Sequence, residues 1–244
     1  AGTAIGGALF QHYALTNEDT IRDYGKTLYL GPEYNIDHKK VQDVLPENGV
    51  VVDTDDDEVV ELLTQKNIVC VWQGRSENGP RALGNRSILF DPTFADGKDY
   101  VNAIKRREYF RPFAGSILEE DVHDWFDLRG MERSSHMMYA VNCQPGIEEK
   151  IPSIIHIDGS CRIQTVNKEE NPLYHQLISK FKEKTGVPIV FNTSFNLGGE
   201  PLVETLEDAI RTLENSDLEY LYLPELKLMI NIPNANEDAS GEIL

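Results

Sequence analysis

The sequence predicts an open sheet of mixed strands flanked by helices, an α/β or α+β fold, and three observations lead there. Apolar, strand-like runs outnumber the helical patterns and alternate with them along the chain. No internal repeat is visible, which argues against a solenoid or propeller. At 244 residues the chain can bury a real core, either as one large domain or as an ordinary domain with an appendage.

Taken in order, the opening AGTAIGGALFQHYAL reads as a Gly-rich turn entering a helix, and KTLYLGPEY as a strand running into a turn at Gly31-Pro32. The chain starts inside this Gly/Ala-rich element and is expected to be a piece of a longer polypeptide. Residues 34–48 are polar, carry Pro46 and Asn48, and read as a connection, so a domain boundary is placed near them. From Thr54 to Lys66, Val59, Leu62 and Leu63 share one face behind an acidic first turn, which predicts an amphipathic helix with its dipole complemented.

The runs IVCVW, RSILF, AGSIL, MMYAV, SIIHI and CRIQTV read as strands. In NPLYHQLISKFKEKTG, Leu173, Leu177 and Phe181 recur at helical spacing and Gly186 supplies the C-terminal stop. VPIVFN is a further strand, TLEDAIRTLENS a helix opened by a capping box of Thr205 and Asp208, and LEYLYL and LKLMI close as strands. The polar tail from Asn234 is expected to be disordered.

Composition narrows the function. Forty-one acidic residues against 23 basic ones give a formal net charge of -18, a surface that repels a nucleic-acid backbone. No apolar run reaches the roughly 18 residues that cross a bilayer, and no basic flank marks a signal peptide, so a cytoplasmic protein without a membrane partner is expected. Cys70, Cys143 and Cys161 are too few and too widely spaced for a disulfide framework or a structural zinc site. The basic residues are unevenly spread: Arg75, Arg81, Arg86, Lys105, Arg106, Arg107 and Arg111 crowd one third of the chain. A local cationic excess in an acidic protein points to a small anionic ligand.

Four segments carry the chemistry. QGRSENGPRALGNRS, directly after a strand, packs Arg75, Arg81 and Arg86 among Asn78, Asn85 and three glycines. Guanidinium forks pair with phosphate or carboxylate oxygens, and glycines let backbone N–H groups approach as well. NAIKRREYFRPFAG sets Lys105 and Arg111 on either side of a helix end, with Pro112 fixing the turn and Tyr109, Phe110 and Phe113 interleaved. Such a mixture suits a nucleotide, although aromatic residues are more often core than stacking partners. HIDGSCRIQTV brings Arg162 just after the turn at Asp158-Gly159; His156 and Asp158 face one side there, and a structural hydrogen bond is preferred to a metal pair. IVFNTSFNLGGEP places Asn192, Thr193, Ser194 and Asn196 where a strand ends, the usual position of a ligand crevice in α/β sheets.

In this order, GRSENGPRALGNRS, the KRREYFRPFAG run, HIDGSCRIQTV and FNTSFNLGGEP resemble the C-terminal region of the O-carbamoyltransferases that act on nodulation factors, cephamycins and aminoglycosides. The resemblance implies an α/β fold of the YrdC-like kind, an open twisted mixed sheet with helices. By the same resemblance it would be preceded by the remnant of an actin-like, Kae-type transfer domain. Residues 1–34 would be that remnant, 35–232 the YrdC-like domain and 233–244 a flexible tail. The family condenses carbamoyl phosphate with ATP, with Mg, to carbamoyl-adenylate, which the transfer domain passes to a hydroxyl acceptor; here that domain would lie mostly outside the chain. By resemblance Lys105, Arg111, Arg162 and Ser194 hold the phosphates and the carbamoyl group, with Arg81 a fifth. Arg75, Asn85, Arg86, Asn192 and Asn196 are the further nucleotide-binding candidates, and no metal ligand is assigned. Two other readings stay open: an enzyme of the threonylcarbamoyl-adenylate class, and a nucleotide-binding module without catalysis.

Overall fold

A computed structural model of the chain describes residues 2–17 and 27–233. Among these residues ten strands form one open, mixed sheet, and the chain is an α/β protein. They are β1 (Val50–Asp53), β2 (Val69–Trp72), β3 (Arg86–Phe90), β4 (Ala114–Leu118), β5 (Phe126–Asp127), β6 (Tyr139–Cys143), β7 (Ser160–Val166), β8 (Ile189–Ser194), β9 (Tyr220–Leu223) and β10 (Leu228–Asn231). Their order across the sheet is β1-β10-β9-β2-β3-β8-β4-β7-β6-β5. The β2–β9 and β4–β7 pairs are parallel. Central strands β2, β3 and β4 are buried at every residue, as strands covered on both faces are; β2 is apolar throughout, while β3 and β4 also bury Arg86, Ser87 and Ser116.

Among the described residues seven helices accompany the sheet: α1 (Thr3–Thr16), α2 (His38–Val44), α3 (Asp56–Thr64), α4 (Gly97–Ile104), α5 (Val122–Trp125), α6 (Pro172–Thr185) and α7 (Leu206–Glu214). Helix α6 lies on β4 and β8 and packs against α3, burying Leu177, Ile178 and Phe181. Pro172 sits in its first turn and Gly186, at φ 76°, ends it, a conformation that costs glycine nothing. In α7 the Thr205 hydroxyl accepts from the Asp208 N–H and the Asp208 carboxylate from the Thr205 N–H, so the capping box is complete. The opposite face of the sheet carries α4, whose Gly97 fits against Phe90 and Ser153 where a methyl group would not.

Several expectations need correction. Helix α1 starts at Thr3 and runs through Gly6 and Gly7, so the glycines are inside the helix and not a turn before it; none of its residues is buried. Residues 27–34 form no strand. Their backbone pairs with a loop: Asn78 N–H donates to Leu28 O and Gly31 N–H to Ser76 O. Tyr34 then packs against Trp72, ring centroids 5.7 Å apart. The polar connection at 34–48 contains α2, capped by Asp37 accepting from the Lys40 N–H, and β1 follows at the sheet edge. SIIHI is no strand either: Pro152–Ile154 is a single 3₁₀ turn, held by Ser153 Oγ donating to Pro92 O at 3.0 Å. In MMYAV the strand begins only at Tyr139, because Met137 takes φ 54°. The predicted disordered tail, Lys26 and Ala1 lie outside the described residues. Among the described residues no helix is long and apolar enough to cross a membrane.

Candidate functional site

The sheet topology brings all four segments to one end. The register pairs Trp72 with Arg86, Ser87 with Ser194, and Ala114 with both Asn192 and Arg162. The exit of β2, the entries of β3, β4 and β7, and the exit of β8 therefore share one edge. There a cleft of ≈ 850 Å³ opens, lined among others by Arg81, Lys105, Arg107, Arg111, Ser194 and Asn196.

Lys105 follows α4 directly. Its buried Nζ donates to Ser194 O, to Asn196 O at 2.7 Å and to Asn196 Oδ1 at 3.0 Å, which uses all three N–H bonds of an ammonium. Ser194 Oγ completes the corner by donating to Asn196 Oδ1 at 2.6 Å. Burial, and then the neighbouring Arg107 charge, push Lys105 down to about 7. The helix ends at Ile104 and not near Pro112 as expected; the turn comes at Arg106, at φ 52°. Gly198 N–H donates to Lys105 O at 2.8 Å, and a β-carbon at Gly198 would lie 2.7 Å from Arg106 O. Gly198→Ala is accordingly expected to cost about 1–3 kcal/mol by overpacking and to move the Lys105 turn. Thermal unfolding together with anion affinity checks this, and an unchanged affinity would show that the turn does not set the cleft.

Arg107 is not among the expected ligands, yet it lines the cleft and is held on two sides. Its Nε donates to Asn102 Oδ1 at 2.6 Å and its guanidinium lies 4.0 Å over the Phe113 ring, while a buried Nη2 has no partner. Burial and the charges of Arg111 and Arg162 push it down to about 10. Arg162, half-buried, keeps an unpaired buried Nε, and burial followed by the Arg81 charge lowers its pKa. Arg111 is exposed and paired with Glu108, Nε to Oε2 at 2.6 Å. Among the described residues no carboxylate pairs with Arg81, Arg107 or Arg162. Lys105, Arg81, Arg111, Ser194 and Asn196 thus line one cleft, whereas Arg162 is outside its lining and is linked to it through the charges of Arg81 and Arg107.

The remaining expected ligands do not line the cleft. Arg86 is fully buried and stacks 4.2 Å from the Trp72 ring. It donates to the backbone oxygens of Gln73, Gly74, Asn85 and Glu204, which uses four of its five N–H bonds, and Glu204 Oε1 lies 3.9 Å from Nη2. Arg75 points away to Glu33, at 3.0 Å, and Gly31 O. Asn85 is a buried brace between Arg75 O and the Asn171 side chain. Asn192 lies beneath the loop, donating to Ser116 Oγ at 2.8 Å and Ala82 O at 3.2 Å, with its buried Oδ1 unpartnered. His156 and Asp158 both bond Ser160, as structural hydrogen bonds would.

What holds Arg81 in place is a residue the sequence did not flag. The buried carboxylate of Glu77 accepts from the N–H groups of Leu83, Asn85 and Arg86 at 2.7, 2.8 and 3.3 Å through one oxygen. Burial raises its pKa, against the lowering effect of those amides. Leu83 O accepts from Tyr29 Oη at 2.7 Å and Gln164 Nε2 at 2.8 Å. Gly84, at φ 111°, sits where a β-carbon would be 2.2 Å from the Tyr174 ring. The loop after Arg81 is pinned at successive residues, so Arg81 leaves a fixed base.

A profile of the carbamoyltransferase C-terminus matches residues 60–229, a span that contains the whole cleft. The chain belongs to the carbamoyltransferase C-terminus family. It is 38% identical over 227 residues to the nodulation protein NolNO of Sinorhizobium fredii, covering 91% of this chain and 33% of that protein. It is likewise 38% identical over 227 residues to NolO of Bradyrhizobium diazoefficiens, covering 41% of it. The chain therefore spans between a third and about two fifths of the length of these two carbamoyltransferase-family relatives. Among solved structures, HypF of T. kodakarensis aligns at a TM-score of 0.48 and 15% identity, over 78% of this chain and 24% of that one.

Proposed function

We propose that this domain binds ATP and carbamoyl phosphate and joins them as carbamoyl-adenylate, on a YrdC-like version of the α/β sheet. The supporting observation is the cleft itself: buried Lys105 and Arg81, Arg106, Arg107 and Arg111 line it in a chain of net charge -18, Arg162 interacts electrostatically with Arg81 and Arg107, and buried N–H groups of Arg107 and Arg162 have no protein partner. Mutually repelling guanidiniums cost free energy in the empty protein, and an anion relieves that cost on binding. In the proposed reaction water cleaves carbamoyl phosphate to carbamate and inorganic phosphate, a carbamate oxygen then attacks the α-phosphorus of ATP, and the bond to pyrophosphate breaks as pyrophosphate departs. Negative charge grows on the α-phosphate and the leaving group, where fixed cations stabilise it. Arg107 and Arg162 present their unpaired donors, Arg81 and Arg111 close the rim, and Ser194 and Asn196 offer hydrogen bonds to the carbamoyl group. Mg2+ would arrive on the phosphates; Glu108 and Glu200 are the carboxylates at the cleft wall. Transfer to a hydroxyl acceptor is assigned to the additional length of the longer relatives.

Pyrophosphate exchange into ATP by the 244-residue chain tests the reading. Exchange should require carbamoyl phosphate. Exchange that needs threonine and bicarbonate would give the reaction to the threonylcarbamoyl-adenylate class, and no exchange with retained ATP binding would leave a nucleotide-binding module. Arg162→Ala is expected to lower the exchange rate by two orders of magnitude or more, in the range of lost transition-state donors. Its melting temperature should stay within a few degrees, because removing Arg162 also removes repulsion from Arg81 and Arg107. A variant that exchanges at the wild-type rate would sink the role of Arg162.

A further inference from the structure

We infer that Tyr109 and Phe110 form a stacking platform for a purine base at the mouth of the cationic cleft, an inference that rests on the nucleotide reading above. Their side chains are 76% and 67% exposed, whereas Phe90, Phe113, Phe126, Phe181 and Phe191 are buried. Large apolar rings held in water carry a standing cost unless something covers them. These two occupy a specific place. Glu108 and Arg111 both line the cleft, and Tyr109 and Phe110 are the two residues between them.

Their backbone is also fixed. Buried Asn102 donates through one Nδ2 to Tyr109 O at 3.2 Å and to Arg111 O at 3.1 Å, and Arg111 N–H donates to Glu108 O. The same Asn102 receives Arg107 Nε, so one side chain ties a cleft cation to the segment bearing the rings. The rings stand 5.9 Å apart at 82°, edge to face, which leaves a ring face free for a planar base. Phe113, three residues on, is already used: it is buried and carries the Arg107 guanidinium on its face. At ≈ 850 Å³ the cleft lies within the range that takes ligands of nucleotide size. Cations lining the cleft, and exposed rings on the segment between two of its lining residues, match a ligand with phosphates at one end and an aromatic base at the other.

The experiment separates the two ends of the ligand. Calorimetric titration of the wild-type chain, Tyr109→Ala, Phe110→Ala and the double variant with ATP, and separately with inorganic tripolyphosphate, each with Mg2+, reads base and phosphate contributions independently. The wild type should bind ATP more tightly than tripolyphosphate. Loss of the stacking ring should weaken ATP by roughly 5- to 160-fold, the span of base–aromatic stacking by alanine substitution, and leave tripolyphosphate affinity and melting temperature unchanged. An unaltered ATP affinity in the double variant, or an equal loss for both ligands, would overturn the proposal and leave the rings to a protein partner or to shaping the loop. Wild-type protein that binds tripolyphosphate and ATP equally well would overturn it while leaving the phosphate cleft intact. If neither ligand binds the wild type, the cleft reading falls first and the platform with it.

Discussion

Lys105→Met is expected to weaken triphosphate binding by on the order of 30-fold to a few thousand-fold, the consequence of removing about 2–5 kcal/mol with a buried, hydrogen-bonded charge. The methionine stem fills the same channel, so the loss reports the ammonium. Lys105 also predicts two opposite pH trends. In the folded chain it is pushed down to about 7, chiefly by burial, whereas an unfolded lysine holds its proton to about 10.4. Between those values the unfolded state binds more protons, so this group's contribution makes stability rise with pH from about 7 to about 10.4. Anion binding runs the other way, because the ligand selects the protonated ammonium. Affinity should be highest below pH 7 and fall as pH rises through it, with a proton taken up on binding near neutrality. Titration calorimetry in buffers of different ionisation enthalpy measures the uptake, and denaturant melts across the range measure the stability slope. Both trends should vanish in Lys105→Met. Affinity that stays flat from pH 6.5 to 9 in the wild type would mean that the Lys105 charge does not act on the ligand.

How far the sequence could lead is clearest where local and long-range forces diverge. Helices α6 and α7 were legible because their signals are local: a repeating apolar face, a C-terminal glycine, a capping box. The strands that make the sheet core were legible as apolar runs. The alternating segment at 27–34 reads equally well as a strand, but its hydrogen bonds go to the loop at 76–83, a partner no local pattern reveals. The site shows the same division. Lys105, Arg111, Arg162 and Ser194 could be grouped through the resemblance to the O-carbamoyltransferases, and the fold places Lys105, Arg111 and Ser194 on one cleft. Arg81 and Arg86 belong to one polar run and have the same chemistry. What separates them is register: Arg86 pairs opposite Trp72 as the first residue of β3 and is spent on backbone oxygens, whereas Arg81 stays on the rim. Arg107, hidden within a run of three cations, is set apart by Asn102 and Phe113, whose contacts exist only after folding.

Glu77 yields the second large effect, and the contrast between two substitutions decides its meaning. Glu77→Ala strands three buried N–H groups, each worth about 1–3 kcal/mol unpaired, and is expected to destabilise the chain by about 3–5 kcal/mol. The loop that positions Arg81 would lose its centre, so triphosphate affinity should drop to the level of Arg81→Ala, a variant whose own fold is unaffected because the replaced side chain is exposed. Glu77→Gln keeps the accepting oxygen and puts an amide where the carboxylate oxygen Oε2 has no partner. Burial raises the Glu77 pKa, so in the window between an unfolded carboxyl, about 4.3, and that raised value the folded state holds the extra proton. Stability contributed by this group therefore falls as pH rises through the window, and the glutamine variant should lack that slope. At pH 7 Glu77→Gln should melt close to the wild type and retain affinity, which identifies Glu77 as a positioning residue acting through its acceptor and not through its charge. Equal damage from both substitutions would assign the role to the charge. Unchanged melting and affinity in Glu77→Ala would remove the loop from any account of how Arg81 is held.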